Sequence, residues 1–344
     1  AIELGADALV GSSVGWDAGA GAYYTANEIS DSGFRQTQNG LKANGVKRIG
    51  WIEGCGDTRV MAGAVNKLAD GSYELNADTG AAVLHATPWN WPSKSPSVSP
   101  SANECVWLSA AAMVNKEAYQ GEYVWPEEAP LPTYPDGRSA LGWLDGDQTD
   151  PRNYKLYDAM AQKDIDGNLF ISEPSRLSAE DTDNFKIYDA REDCYTRNFY
   201  FSKDMASPWW IEYNRYAVRR LLEDGVDGFW VDNYNGWNYC DAWTTRCGFG
   251  DWSVAKFRDY LAAHPEVGIT DTGSFDVRTY MKEKEASWGW TSEKWLSDPV
   301  WVAYKAFKAD ILSTRMTELY NVIKEEAVRA GRNPDDILVM GNDI

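Results

Sequence analysis

The stretch Asp224-Gly225-Val226-Asp227-Gly228-Phe229-Trp230-Val231-Asp232-Asn233 decides the reading of this chain. A helix is expected to stop at Gly225, a short apolar strand to cover Gly228–Val231, and two polar residues to stand at its C-terminal tip. In a βα barrel that tip opens into the catalytic bowl, so an acid there reads as chemistry rather than packing. Asp and Asn also start turns, and Asp232 could simply cap one. The strand buries Phe229 and Val231 and then runs on as Asp-Asn-Tyr-Asn-Gly-Trp, which favours function.

Upstream, Ala8–Val14 reads as a strand ending in Gly15-Trp16-Asp17. Glu28–Asn44 reads as a helix stopped by Gly45, and Val46–Ile52 as a buried strand ending in Glu53-Gly54-Cys55-Gly56. Strand, helix and strand at this spacing form a βαβ unit and imply a parallel sheet. The rhythm then breaks. Thr87–Ser101 and Tyr123–Arg138 are rich in loop-forming residues, a helix is expected over Ser109–Ala118, and Asp145–Asp150 is an acidic turn. Lys163–Asn168 reads as a hairpin turn between Tyr154–Ala161 and Leu169–Ile171. Its Asp-x-Asp-Gly-Asn order lacks the remaining calcium ligands and the terminal Glu. Residues 62–196 are therefore expected to be a loop-rich insertion on a barrel.

Downstream the rhythm returns. Asn198–Ser202 reads as a strand, and Pro208–Glu223 as a helix with Trp210, Tyr213, Ala217 and Leu221 on one stripe. Trp252–Leu261 places Val254, Phe257 and Leu261 inward, and Pro299–Ala330 carries Leu312, Met316, Leu319, Ile323 and Ala327. Ile337–Met340 is a last strand, followed by Gly341-Asn342-Asp343-Ile344. The expected fold class is α/β, a (β/α)8 TIM-barrel type formed by 1–344 as one catalytic domain. Five strands are visible where eight are needed on about 250 residues of framework. The expectation is that the sequence stops before its last strands, since a bare final strand would leave an unpaired edge. Strands hidden in the insertion, or an open sheet, are the other solutions.

Composition narrows the partners. With Asp+Glu 52 against Lys+Arg 33, the net charge of −19 repels nucleic acid and anionic lipid. No run of 18 apolar residues exists, so no spanning helix is expected. The 17 Trp and 19 Tyr exceed ordinary usage, and many lie beside turn residues, among them Trp16, Trp89, Trp91, Trp209, Trp210, Trp237, Trp243, Trp288 and Trp290. Flat rings suit the C–H face of a sugar, although each Trp could equally fill a core. Only His85 and His264 are present and no Cys-x-x-Cys occurs, so neither a zinc site nor another cofactor is expected. Cys240 and Cys247 bracket one loop and could form a disulfide, and the start at Ala1 suggests a removed signal peptide and secretion. Oligomeric state is not legible.

The segments Asp204-Met205-Ala206-Ser207-Pro208-Trp209-Trp210 and Gly-Val-Asp-Gly-Phe-Trp-Val-Asp-Asn make Tyr200–Asn233 resemble retaining and related glycoside hydrolases built on a TIM barrel. The chain is similar to barrels of the beta-galactosidase and alpha-fucosidase type. Lys256–Leu261 and Trp301–Phe307 extend the likeness, which covers 195–343 and, less closely, 8–55. The resemblance implies a secreted enzyme that cleaves glycosidic bonds of a plant or algal poly- or oligosaccharide. In several such barrels the acid after strand four is the nucleophile, a role that transfers to Asp232. The beta-galactosidase type instead carries Asn-Glu there, whereas this chain has Asp232-Asn233 in the opposite order.

Glycoside hydrolysis needs a second carboxyl group, at ~5–5.5 Å for retention or ~6.5–9.5 Å for inversion. The strand-tip acids Asp343, Glu53 and Asp17 are the candidates beside Asp232, the first two as catalytic groups and Asp17 also as a substrate ligand, unless the partner stands on a further strand. Asn233 and Asn342 could donate to sugar hydroxyls, and Trp16, Tyr234, Trp237 and Trp209 could stack. Trp230 belongs either to the site or to the core. A non-catalytic carbohydrate-binding barrel and a metal-dependent hydrolase are the alternatives, the latter disfavoured by the two His.

Overall fold

The computed structural model describes residues 8–17, 22–23, 40–53, 128–145, 153–169, 203–223, 225–232 and 247–341, with 186–189, 194–197 and short pieces within 64–107. Its central sheet contains β1 (Ala8–Asp17), β2 (Ala22–Tyr23), β3 (Lys47–Glu53), β4 (Gly228–Asp232) and β5 (Leu338–Gly341), in the order β5-β4-β3-β1-β2. The pairings β1–β3, β3–β4 and β4–β5 are parallel, and β2 folds back antiparallel on β1. Among the described residues the α-helices given with both ends are α1 (Lys155–Met160), α2 (Trp209–Glu223), α3 (Asp251–Ala263), α4 (Val277–Trp288) and α5 (Pro299–Arg329).

One local device recurs where helices hand over to strands. The helical residues 40–43, α2 and α5 are each followed by a left-handed glycine, Gly45, Gly225 and Gly331. After each glycine the next N–H reaches back five residues: Val46 to the Leu41 carbonyl at 3.0 Å, Val226 to Leu221 at 3.1 Å and Arg332 to Ala327 at 2.9 Å. This is the hydrogen bond of a Schellman end, which satisfies orphan carbonyls and turns the chain sharply. The chain then enters β3 and β4 at once, and β5 after a short turn at Pro334–Asp336.

The parallel strands sit side by side in their chain order, each new one added at the same edge. Crossovers that share one hand and advance at the same edge put the connecting helices on one face. The main core agrees. Phe229, Val231 and Ile52 pack with Trp210, Tyr213, Ala217, Leu221 and Val226 around α2, and with Met316, Leu319, Ile323 and Ala327 of α5. Strand alternation puts positions 228, 230 and 232 on the face away from those helices. Trp230 on that face is only partly buried.

Glu326 fastens the two helices. It is 4% exposed and takes Arg219 Nε at 2.9 Å, Arg329 Nε at 3.2 Å and Arg215 Nη1 at 3.4 Å. A second core joins Val254, Phe257, Leu261, Met281, Trp301, Tyr304 and Phe307 of α3, α4 and the first half of α5 with Phe249 just before α3 and Trp295 in the turn before α5. Phe249 stacks on Tyr304 with centroids 5.3 Å apart, and Trp295 meets Trp301 at 5.7 Å.

The fold is mixed α/β, but the described strands form an open sheet and not a closed barrel. One expectation fails for a clear reason. β4 pairs directly with β3 along its whole length, so no strand lies between them. Asn198–Ser202, expected there, lies outside the described residues, as do the expected helix Ser109–Ala118 and 28–39 of the helix before β3. Tyr154–Ala161, expected as a hairpin arm, contains α1, because Leu156, Tyr157 and Met160 fall on one helical face and are all buried. The turn itself is present. Lys163 bridges Leu169, and the Asp164 carboxylate accepts the N–H groups of Asp166 at 2.8 Å and Asn168 at 2.9 Å. Within 128–169, Tyr134, Trp143, Tyr154, Leu156 and Met160 belong to the main core.

Candidate functional site

Three adjacent parallel strands each end on an acid: β1 on Asp17, β3 on Glu53 and β4 on Asp232. Register brings two of them together, because Asp232 is the direct partner of Glu53. The pairing holds through the strand, with Phe229 opposite Gly50, Trp230 opposite Trp51 and Val231 opposite Ile52. A Cβ on Gly228 would stand 2.7 Å from Leu338 Cβ and 3.0 Å from Ile49 Cδ1, so only glycine fits between β3 and β5. On β1, Gly15 pairs with Trp51 after a register irregularity, while Trp16 and Asp17 pair with Tyr23 and Ala22 of β2. On the other flank, Val231 pairs with Gly341, the last described residue.

Of the residues expected at the site, Asn233, Tyr234, Trp237, Asn342 and Asp343 lie outside the described residues. Trp209 is a core residue. It is 6% exposed, and its indole N–H donates to the Thr133 carbonyl at 2.8 Å. The aromatic surplus is explained in part by packing. Among the described side chains Trp143, Trp209, Trp210, Trp295 and Trp301 are buried and Trp230, Trp252, Trp288 and Trp290 partly so; none is exposed. Trp89, Trp91 and Trp243 lie outside the described residues. Cys247 is buried beside Asp164 in a β-bridge, and its expected partner Cys240 lies outside the described residues.

The two described acids of the opening motif have different surroundings. Asp227 stands at the N-terminal end of β4, where its carboxylate accepts the Arg48 N–H at 3.0 Å and Arg332 Nη2 at 3.2 Å. Asp232 stands at the opposite, C-terminal end of the same strand.

Two buried polar clusters were not legible in the sequence. In the first, Lys163 Nζ lies 2.8 Å from both Asp158 Oδ1 and Asp251 Oδ2, Arg278 Nη2 reaches Asp251 Oδ1 at 2.7 Å, and Tyr134 donates to Asp158 at 2.8 Å. Burial alone would raise the Asp251 carboxyl, but Lys163 and Arg278 outweigh it and hold the group below its ordinary value. Burial, then the Asp158 charge, pushes the Tyr134 phenol far up, so it stays a donor.

In the second cluster Asp204 is fully buried. Its carboxylate accepts the Ser253 N–H at 2.9 Å, the Ser253 hydroxyl at 2.6 Å and the Ala206 N–H at 3.1 Å. α3 begins at a glycine N-cap, Gly250, which has no side chain to offer. Asp204 supplies the missing cap from 46 residues away in the chain, its Oδ2 lying 2.1 Å from where a Gly250 Cβ would be. Burial raises the Asp204 carboxyl against the lowering by Ser253. Their partners mark both clusters as ties between elements.

Comparison with family models, with curated proteins and with solved structures returns no match. Among the described residues no group of three or more His, Cys, Asp and Glu side chains is placed to hold a metal ion, and no helix is long and apolar enough to cross a membrane.

Proposed function

We propose that the chain is a secreted glycoside hydrolase acting on a poly- or oligosaccharide, with its chemistry at the C-terminal tips of β3 and β4. The observation that carries this reading is the register pairing of Asp232 with Glu53 at the rim of a parallel sheet. The strand order supports a barrel as the finer architecture. A doubly wound sheet reverses direction part-way, whereas β1, β3, β4 and β5 advance at one edge with α2 and α5 on one face, as successive barrel units do.

In this reading Asp232 is the nucleophile and Glu53 the acid and base. Backbones of neighbouring strands stand about 4.8 Å apart, closer to the ~5–5.5 Å of a double displacement than to the ~6.5–9.5 Å that admits a water. The Asp232 carboxylate attacks the anomeric carbon as the glycosidic C–O bond breaks, and Glu53 gives its proton to the leaving oxygen. Water then loses a proton to Glu53 and displaces Asp232, regenerating both groups with retention. The roles of Asp17, Asn233, Asn342, Trp16, Tyr234 and Trp237 in holding the sugar belong to the same proposal.

Reducing-sugar release from a panel of neutral and acidic plant and algal polysaccharides tests the activity. The wild type should release sugar, Asp232→Gly should not, and azide should restore turnover to the glycine variant as a glycosyl azide. Binding without release by the wild type would point instead to a non-catalytic carbohydrate-binding barrel. Loss of release with EDTA would point to a metal-dependent hydrolase.

A further inference from the structure

We propose that Asp227 is a positioning residue for the strand-tip acids: it fixes the mutual register of β3, β4 and β5 and so decides which residue of β3 stands beside Asp232. The inference rests on the reading of Asp232 and Glu53 as the reacting pair.

Asp227 joins three strands through main chain and side chain together. Its N–H donates to the Arg48 carbonyl at 2.7 Å, and its carboxylate accepts the Arg48 N–H at 3.0 Å. Its own carbonyl accepts the Leu338 N–H at 3.2 Å. From the turn between α5 and β5, Arg332 donates to the carboxylate at 3.2 Å and to the Val226 carbonyl. Arg48 in return donates to the Gly225 carbonyl. The carboxylate thus bonds both β3 and the connection into β5.

A parallel pair has evenly spaced ladder bonds, so displaced registers lose little hydrogen bonding of their own. The cost to this site would be complete. Within 51–55 only Glu53 is an acid, and slips of one or two residues would set Asp232 beside Trp51, Ile52, Gly54 or Cys55. A slip of one also exchanges the faces of the strand. Apolar packing specifies the face, whereas Asp227 distinguishes registers that share a face. Asp227 lies five residues before Asp232, about 16 Å along an extended strand, and therefore touches neither substrate nor reacting atoms.

The test compares Asp227→Ala, Asp227→Asn and Arg332→Gln in the full chain. Asparagine keeps an oxygen to accept the Arg48 N–H, and alanine does not. We expect Asp227→Ala to lower kcat per folded molecule at least tenfold with KM within threefold, Asp227→Asn to restore kcat to within threefold of wild type, and Arg332→Gln to fall between. Amide exchange at Val231 and Ile52, near the strand tips, should accelerate at least tenfold in Asp227→Ala while the α3 amides hold. Unchanged kcat per folded molecule and unchanged tip exchange would leave Asp227 a merely stabilising residue and overturn the proposal. Should the wild type release no sugar, the glycosidase reading fails by itself, and tip exchange alone then decides the role of Asp227.

Discussion

Asp232 and Glu53 are register partners on adjacent parallel strands, each the last residue of its strand. From that relationship we expect Asp232→Asn and Glu53→Gln each to fold normally. Asp232→Asn should lower kcat by several orders of magnitude, far beyond the tenfold that about 1.4 kcal/mol represents. Glu53→Gln should lose least on substrates with activated leaving groups, which need no protonation. Turnover above about a tenth of wild type in Asp232→Asn removes it from the reaction.

The Asp204 cap predicts an unusual pattern of stability. Gly250→Ala should cost about 2–3 kcal/mol, because the new methyl overlaps a short, fully buried side chain with no room to retreat. Asp204→Ala should cost about 1–2 kcal/mol through the lost cap. In that background Gly250→Ser should be better than Gly250→Ala, since a serine hydroxyl can cap α3 from the N-cap position itself. Urea unfolding of the four variants measures the non-additivity. Additive losses, with serine no better than alanine, would remove Asp204 from the cap.

Asp251 predicts the acid limb of the stability profile. Its folded-state carboxyl lies below its ordinary value because Lys163 and Arg278 outweigh burial. A group of that sign stabilises the fold above its unfolded pKa and loses the contribution as pH falls through the folded one. Stability should therefore drop below about pH 4, and Asp251→Asn should be less stable than wild type at neutral pH with a shallower acid decline. Equal acid slopes, read from urea midpoints between pH 7 and pH 2.5, would contradict the assignment.

Much of the framework was legible because apolar period and turn chemistry agreed. Trp210, Tyr213, Ala217 and Leu221 mark α2, and Gly225 and Gly331 mark its end and that of α5. α4 was missed because only Val277 and Met281 of its twelve residues are buried. Its local signal was Asp276, whose side chain accepts the Thr279 N–H at 3.0 Å. The Asp251–Lys163 pair spans 88 residues of sequence, and no local pattern announces such a partner. For the site, residue type and strand position gave Asp232 with Asp343, Glu53 and Asp17 as candidate partners, and did not choose among them. The adjacency of Asp232 and Glu53 depended on β3 pairing directly with β4, which spacing alone could not reveal.

Glu326 is expected to be the most sensitive tie between α2 and α5. Glu326→Ala leaves Arg219 and Arg215 facing a buried position without their shared carboxylate, and removing one partner of such a set costs about 3–5 kcal/mol. Arg215 retains Glu212 and Glu325, and Arg219 retains Glu128, so the lower end of that range is expected. A double-mutant cycle with Arg219→Ala should give a coupling above 1 kcal/mol, by the usual range for residues in one ionic network. Coupling near zero would reduce the cluster to surface charge.

Trp209 separates the two explanations of the aromatic surplus. If its ring served a sugar, Trp209→Phe would raise KM with little effect on folding. The structure buries it at the start of α2 with the indole N–H on the Thr133 carbonyl, a contact linking α2 to the 128–145 segment. Phenylalanine keeps part of the apolar contact but cannot donate, leaving a part-buried carbonyl without this partner at a cost of about 1 kcal/mol. The expected result is a lower urea midpoint with KM unchanged for any polysaccharide from which the wild type releases sugar. A rise in KM above threefold at unchanged stability would return Trp209 to the groove. The partly buried Trp230 provides the contrast, because strand alternation puts it on the same face of β4 as Asp232. Trp230→Phe should therefore change KM while sparing the α2–α5 core.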